Sequence, residues 1–266
     1  MYDIETILQA LALTFIAGAA TGVGALISIT ARKTDTRILS GALGLSAGVM
    51  VYISFMELLP EAITSLATDH DTRIAQIISL AAFFGGVALI ALIDRFVPED
   101  ENPHEMHTMD ELSRPGNHHL RRTATMLALA IGIHNFPEGM ASFISALDGL
   151  DVALPVIIAI AIHNIPEGIA VAVPIYHSTG SRRKAIRYSL LSGMAEPAGA
   201  IVGIAVLLPF WSPTVNAICL AAVAGIMVYI SFDELLPGAE RFGHHHMTIT
   251  GVIAGMAIMA LTMLWL

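Results

Sequence analysis

Residues 7–31 read ILQALALTFIAGAATGVGALISITA, twenty-five positions without one charged side chain. A hydrocarbon core takes about 20 apolar residues to cross as a helix. Runs of that kind recur along the whole chain. In lipid every backbone amide must be satisfied inside the segment, so a chain built this way folds as a polytopic helical bundle. Composition agrees: 55% of the 266 residues are hydrophobic, only 13% are charged, and the mean hydropathy is +0.72. Soluble domains carry about a quarter charged residues. The single cysteine, Cys219, excludes an intrachain disulfide and a thiolate metal site. The start, MYDIETILQA, holds two acids and no Lys or Arg, unlike a signal peptide, so the first run is read as a retained span.

Eight spans are expected, over 6–31, 38–66, 74–94, 122–147, 152–178, 185–209, 213–238 and 247–266. With these cuts Arg32, Lys33, Arg37, Arg95, Arg114, Arg121, Arg122, Arg182, Arg183, Lys184, Arg187 and Arg241 share one face, and only Arg73 falls on the other. The positive-inside rule makes the basic face cytoplasmic and puts both termini outside the cell (inner) membrane. The outer face carries Asp3, Glu5, Asp69, Asp71, Asp148 and Asp151. They read equally well as a cation-concentrating mouth and as ordinary acidic loops. The one long loop, 95–121, is cytoplasmic and polar, with His104, His107, His118 and His119; His244, His245 and His246 occupy the last inner loop. Both tracts read as weak metal binders or as plain solvated loops.

AGVMVYISFMELLPEA (47–62) recurs as AGIMVYISFDELLPGA (224–239), with thirteen of sixteen positions identical. The two copies lie in spans 2 and 7, which cross the membrane in opposite senses. A repeat in antiparallel helices predicts inverted repeats, spans 1–3 and 6–8, around central spans 4 and 5. That architecture is common in secondary transporters, with the substrate at the midplane. Met50, Ser54, Glu57 and Glu61 fall on one helical stripe. Met227, Ser231 and Glu234 repeat it, with Asp233 alongside. Glu57 and Glu61 then approach the outer surface, and Asp233 and Glu234 the inner one, as the two ends of a transport path or as carboxylates reaching interfacial water.

HNFPEG (134–139) and HNIPEG (163–168) lie near the centres of spans 4 and 5. His134 and Glu138 share a face at i, i+4, as do His163 and Glu167, with Asn135 and Asn164 beside them. Span 6 adds Glu196 in GMAEPAG. A charge at mid-membrane costs about 2.5–3.5 kcal/mol on insertion scales, and no Lys or Arg lies at matching depth. The acids are therefore protonated or neutralised by a cation. Imidazole, amide and carboxylate converging on one locus suit a divalent transition metal.

Paired HNxPEG helices, eight spans, outward termini and a His-containing loop between spans 3 and 4 resemble the ZIP (Zrt-, Irt-like) metal transporters, most of all their bacterial ZupT-type branch. The resemblance covers essentially the whole chain. It implies uptake of divalent metal into the cytosol, zinc first, with iron, manganese, cobalt and cadmium as further substrates. It also implies a two-metal site, in which metal is substrate and no cofactor is needed. One metal would take His134, Glu138, His163 and Glu167, with Met50 nearby. The second would take Asn135, Glu138, Asn164, Glu167 and Glu196. Expected partners are metal ions and the lipid bilayer; a homodimer is compatible, and nucleic acid is not expected.

No GxxxxGK[ST] phosphate loop is present, so ATP is not an evident energy source. A membrane potential of 100 mV contributes about 4.6 kcal/mol to moving a dication inward, at 2.3 per charge. Alternating access is the expected mechanism. The pairs Gly18/Gly22, Gly199/Gly203 and Gly251/Gly255 suit either sliding or static close packing. The rival readings are a channel-like pore, a proton-coupled exchanger and, from another class, an intramembrane metal-dependent hydrolase. The HExxH zinc-protease pattern is absent, so the chain is not expected to be an enzyme.

Overall fold

The computed structural model describes residues 4–30, 36–95, 132, 135–140, 142–147, 149–207 and 212–265. Asp3, Arg32, Lys33, the 96–121 loop with its four histidines, Arg122, half of expected span 4, including His134, and Asp148 lie outside them. Among the described residues the fold is all helix. The helices are α1 (Ile4–Thr30), α2 (Thr36–Ile53), α3 (Leu59–Leu66), α4 (Thr72–Arg95), α5 (Leu150–Thr179), α6 (Arg182–Gly193), α7 (Ala195–Leu207), α8 (Pro213–Ile230), α9 (Leu236–Arg241) and α10 (His245–Trp265). Residues 135–140 and 142–147 are also helical.

Six stretches are long and apolar enough to cross a membrane: Ile4–Ile29, Thr36–Leu66, Thr72–Arg95, Ala153–Val173, Pro213–Arg241 and His245–Trp265. The chain is therefore a multi-pass helical membrane protein. Its outward face is what a lipid-facing surface requires, with Ile4, Phe84, Ile253 and Leu261 exposed. Helix α5 sits at the centre, with 72% of its most apolar stretch buried against 22% for α4 and for α10.

The sixth expected span, 185–209, is not one helix. It breaks at Met194 into α6 and α7. Pro197 has no N–H to give the carbonyl of Gly193, so the ladder loses a rung there. By contrast α5 passes through Pro166 without a break.

The repeated segment carries a feature that its hydropathy hides. Between α2 and α3, Ser54–Leu58 form a π-helical turn, and between α8 and α9, Ser231–Leu235 form another. In both, the N–H after the turn reaches back five residues, Leu59 to Ser54 and Leu236 to Ser231. The cause is shared. Pro60 and Pro237 follow one residue later, and a proline ring clashes with the carbonyl four residues back, so the preceding turn widens. Each serine hydroxyl secures its turn by donating to the carbonyl four residues earlier, Ser54 to Met50 at 2.7 Å and Ser231 to Met227 at 2.8 Å. The extra residue shifts the expected stripe. Past the turn the buried positions are Ser54, Leu58, Ala62 and Leu66, while Glu57 and Glu61 move to the edge of the buried face.

Bare glycine backbones bring the helices together, as lipid-embedded interfaces favour. In each of the following a Cβ would fall well inside van der Waals contact with the facing backbone. Gly168 meets Thr21 and Gly24 meets Ile165, joining α5 to α1; Gly139 meets Glu196 and Gly199 meets Phe136, joining residues 135–140 to α7. Gly48 meets Val252 and Gly255 meets Leu45, joining α2 to α10; Gly225 meets Phe83 and Gly86 meets Ala222, joining α8 to α4. Gly18 and Gly193 meet each other. Of the expected GxxxG pairs, Gly251/Gly255 both touch backbone, whereas Gly203 makes only ordinary contact with Met140.

Candidate metal centre

Two HNxPEG segments supply the site. On α5 the i, i+4 spacing puts His163 and Glu167 on one face, with Asn164 beside them. Residues 135–140 bring Asn135 and Glu138. All five side chains are fully buried, as is Glu196. One ligand atom from each of Glu138, His163 and Glu167 can be chosen so that all lie within 4.8 Å of one another. His163 Nε2 is 3.0 Å from Glu138 Oε2. Glu138 Oε1 has no hydrogen-bond partner among the described residues.

The asparagines hold the surrounding helices. Asn164 Nδ2 donates to the carbonyl of Ala17 on α1 at 2.9 Å and also to Glu196 Oε1 on α7. Asn135 Nδ2 donates to the carbonyl of Ser192 at 3.4 Å. Glu196 is thus tied to the site through Asn164, but it is not one of the three converging groups. Met50 is buried on α2, one turn beyond Ser46, whose hydroxyl donates to the carbonyl of His163 at 3.4 Å.

Electrostatics make this locus unusual. Two carboxylates this close repel one another when both carry charge. Among the described residues no Lys or Arg is buried to offset them. Imidazole with two carboxylates is a donor set suited to a divalent transition metal, and a dication there would balance the two carboxylates.

The other expected residues stand apart from this cluster. Glu57, Glu61 and Glu234 are half-buried and Asp233 is exposed on the flank of the bundle. Tyr229 hydrogen-bonds Asp233, with Asp94 and Glu234 close by. Asp71 has a local task, accepting from the backbone N–H of Arg73 at 2.9 Å at the start of α4. The three adjacent histidines do not converge. His244 Nε2 pairs with Thr36 Oγ1 at 2.8 Å, and His245 Nδ1 with Glu240 Oε1 at 2.9 Å. Sequence reading missed Ser46, Tyr229 and Asp94. Ser46 was legible as the residue one turn before Met50; the other two had no signal beyond their chemistry.

A multi-pass helical bundle that buries carboxylates and imidazole together, without basic neighbours, defines an integral membrane protein that can hold metal ions within the bilayer. Residues 97–263 match the model of the ZIP zinc transporter family. The chain is 53% identical to the zinc transporter ZupT of Nitratidesulfovibrio vulgaris, covering 99% of both chains. It is 53% identical to the zinc transporter ZupT of Akkermansia muciniphila and 48% to that of Campylobacter jejuni, each over 98% of both chains. The chain belongs to the ZIP zinc transporter family. These relatives are named as transporters, not hydrolases.

Proposed function

We propose that this protein carries divalent transition metal, zinc first, across the cell membrane into the cytoplasm, with the ion held at the buried Glu138–His163–Glu167 cluster. The observation that carries the reading is that cluster itself, two buried carboxylates and an imidazole with no buried Lys or Arg among the described residues. His134, Asn135, Asn164, Glu196 and Met50 complete a two-metal site in this reading. Glu57 and Glu61 line the outer approach and Asp233 and Glu234 the inner one. Iron, manganese, cobalt and cadmium are further substrates suited to mixed nitrogen and oxygen donors.

Eight spans arranged as inverted repeats fit the packing described above. The contact of Gly48 with Val252 has its counterpart in Gly225 with Phe83, and Gly255 with Leu45 in Gly86 with Ala222. The contact of Gly168 with Thr21 is matched by Gly139 with Glu196, and Gly24 with Ile165 by Gly199 with Phe136. Such pairing supports a two-fold relation that exchanges spans 1 and 6, 2 and 7, 3 and 8, and 4 and 5, with Gly18 and Gly193 on its axis. Alternating access follows from a midplane site between such repeats. The broken helix at Met194 and the paired π-turns support hinge points on either side of it.

The test is uptake of labelled zinc into proteoliposomes. The wild type accumulates zinc, faster with the interior negative, and the Glu138→Ala, Glu167→Ala double variant loses uptake. Wild-type uptake by that variant would reject the site.

A further inference from the structure

Among the buried hydroxyls without partners, two lie on the helices that hold the asparagines of this site. Thr21 on α1 and Ser192 on α6 are 0% and 4% exposed, and neither side-chain oxygen has a hydrogen-bond partner among the described residues. Buried polar atoms without partners are few in native structures, and an ion or ordered water is a usual reason for one. Both lie on helices whose backbone carbonyls hold the asparagines beside the metal cluster. A Cβ built on Gly193 would lie 2.8 Å from Thr21 Oγ1, so this hydroxyl sits over the residue that follows Ser192. The carbonyl of Ser192 accepts from Asn135. The backbone of Thr21 lies on Gly168, the neighbour of Glu167.

The two sides of the centre can be compared through Gly18 and Gly193, which meet face to face. Each is preceded by the residue whose carbonyl holds an asparagine, Ala17 for Asn164 and Ser192 for Asn135. Three positions beyond each glycine stand Thr21 and Glu196. The Asn164 side therefore offers one carboxylate, Glu196, which that asparagine already contacts. By the same correspondence Thr21 stands where Glu196 does, and Ser192 is the residue whose carbonyl holds Asn135.

We propose that Thr21 and Ser192 form a neutral oxygen subsite for the transported divalent cation, on the Asn135 side of the centre and opposite Glu196. The proposal rests on the transport reading above. Ligand charge count tunes how tightly an oxygen site holds a dication, so the hydroxyl side grips the ion less than the carboxylate side. Neutral oxygens would add to the carboxylate donors that already suit harder ions such as manganese.

The experiment measures how well manganese competes with labelled zinc for uptake into proteoliposomes. Thr21→Val keeps the side-chain shape and removes the hydroxyl; Ser192→Ala removes the hydroxyl oxygen at the second position. The double variant is expected to lose manganese competition relative to zinc by about tenfold, the low end of what supporting groups around a metal contribute. Thr21→Ser, in which the hydroxyl remains, is expected to restore it. An unchanged manganese-to-zinc ratio overturns the proposal, as does a loss that affects both metals in step, which marks a packing fault. The Glu138→Ala, Glu167→Ala variant separates the two claims. If it abolishes uptake while the hydroxyl variants keep the wild-type ratio, only the subsite fails. If it transports normally, the metal centre itself is misassigned.

Discussion

Gly139→Ala is the sharpest perturbation that the packing offers. The glycine follows Glu138, and its missing Cβ would run into the carbonyl oxygen, carbonyl carbon and Cα of Glu196. Backbone cannot rotate away as the tip of a flexible side chain can. Restoring an ordinary contact of about 3.5 Å separates the two helices by more than about 1 Å. Overpacking of this kind costs about 1–3 kcal/mol, set against a helix gain of roughly 0.5–1 kcal/mol for replacing glycine. The net loss of stability is therefore small, of order 1 kcal/mol. The displacement, however, moves Glu196 relative to Glu138 and Glu167, and metal sites tolerate only about ±0.2 Å in ligand distance. Zinc affinity should fall by about 10–100-fold, the range seen when groups supporting a metal are disturbed. Gly85→Ala is the control, because a Cβ there meets nothing within 4 Å. Isothermal titration of purified protein with zinc reads the affinities, and thermal melting reads the stabilities. Wild-type zinc affinity in Gly139→Ala, with Gly85→Ala equally silent, would refute the link between glycine packing and the metal centre.

Further expectations concern the repeat and the orientation. Pro237→Ala returns an N–H to the helix and lets the π-turn at Ser231–Leu235 relax toward regular α; it should raise the melting temperature while slowing zinc uptake, and a change of both in the same direction argues against a working role for the turn. In a Cys219→Ser background, Asp69→Cys should react with an impermeant maleimide on intact cells and Arg183→Cys only after permeabilisation. The reverse pattern would invert the proposed topology.

Much of this fold was written in the sequence because membrane helices carry a strong, simple signal. Uncharged runs marked α1, α4 and α10 to within two residues of the structure at each end, and the duplicated segment pointed to α2–α3 and α8–α9. What escaped was local geometry set by proline. Hydropathy does not register a lost N–H, so the break at Met194 and the two π-turns were invisible to it, although Pro60, Pro197 and Pro237 stood in plain view. The phase of Glu57 and Glu61 slipped for the same reason. At the site, i, i+4 spacing foresaw the shared face of His163 and Glu167, and the twin motif brought in Glu138. The standing of Glu196 was harder to foresee, since it depends on the Asn164 amide between it and the cluster. Thr21 was missed because a threonine in an apolar helix normally bonds its own turn, as Thr14 does with Ala10 at 3.0 Å. Only the comparison of GAATG (18–22) with GMAEP (193–197) sets it opposite a glutamate.

The position of the bound metal is the decisive observable. An anomalous difference map at the zinc edge, from crystals grown with zinc, gives it directly. The expected result is a peak about 2.0–2.2 Å from His163 nitrogen and from carboxylate oxygens of Glu138 and Glu167. Zinc found only at the surface, near His244, His245 and His246, with no peak between Glu138 and Glu167, would contradict it.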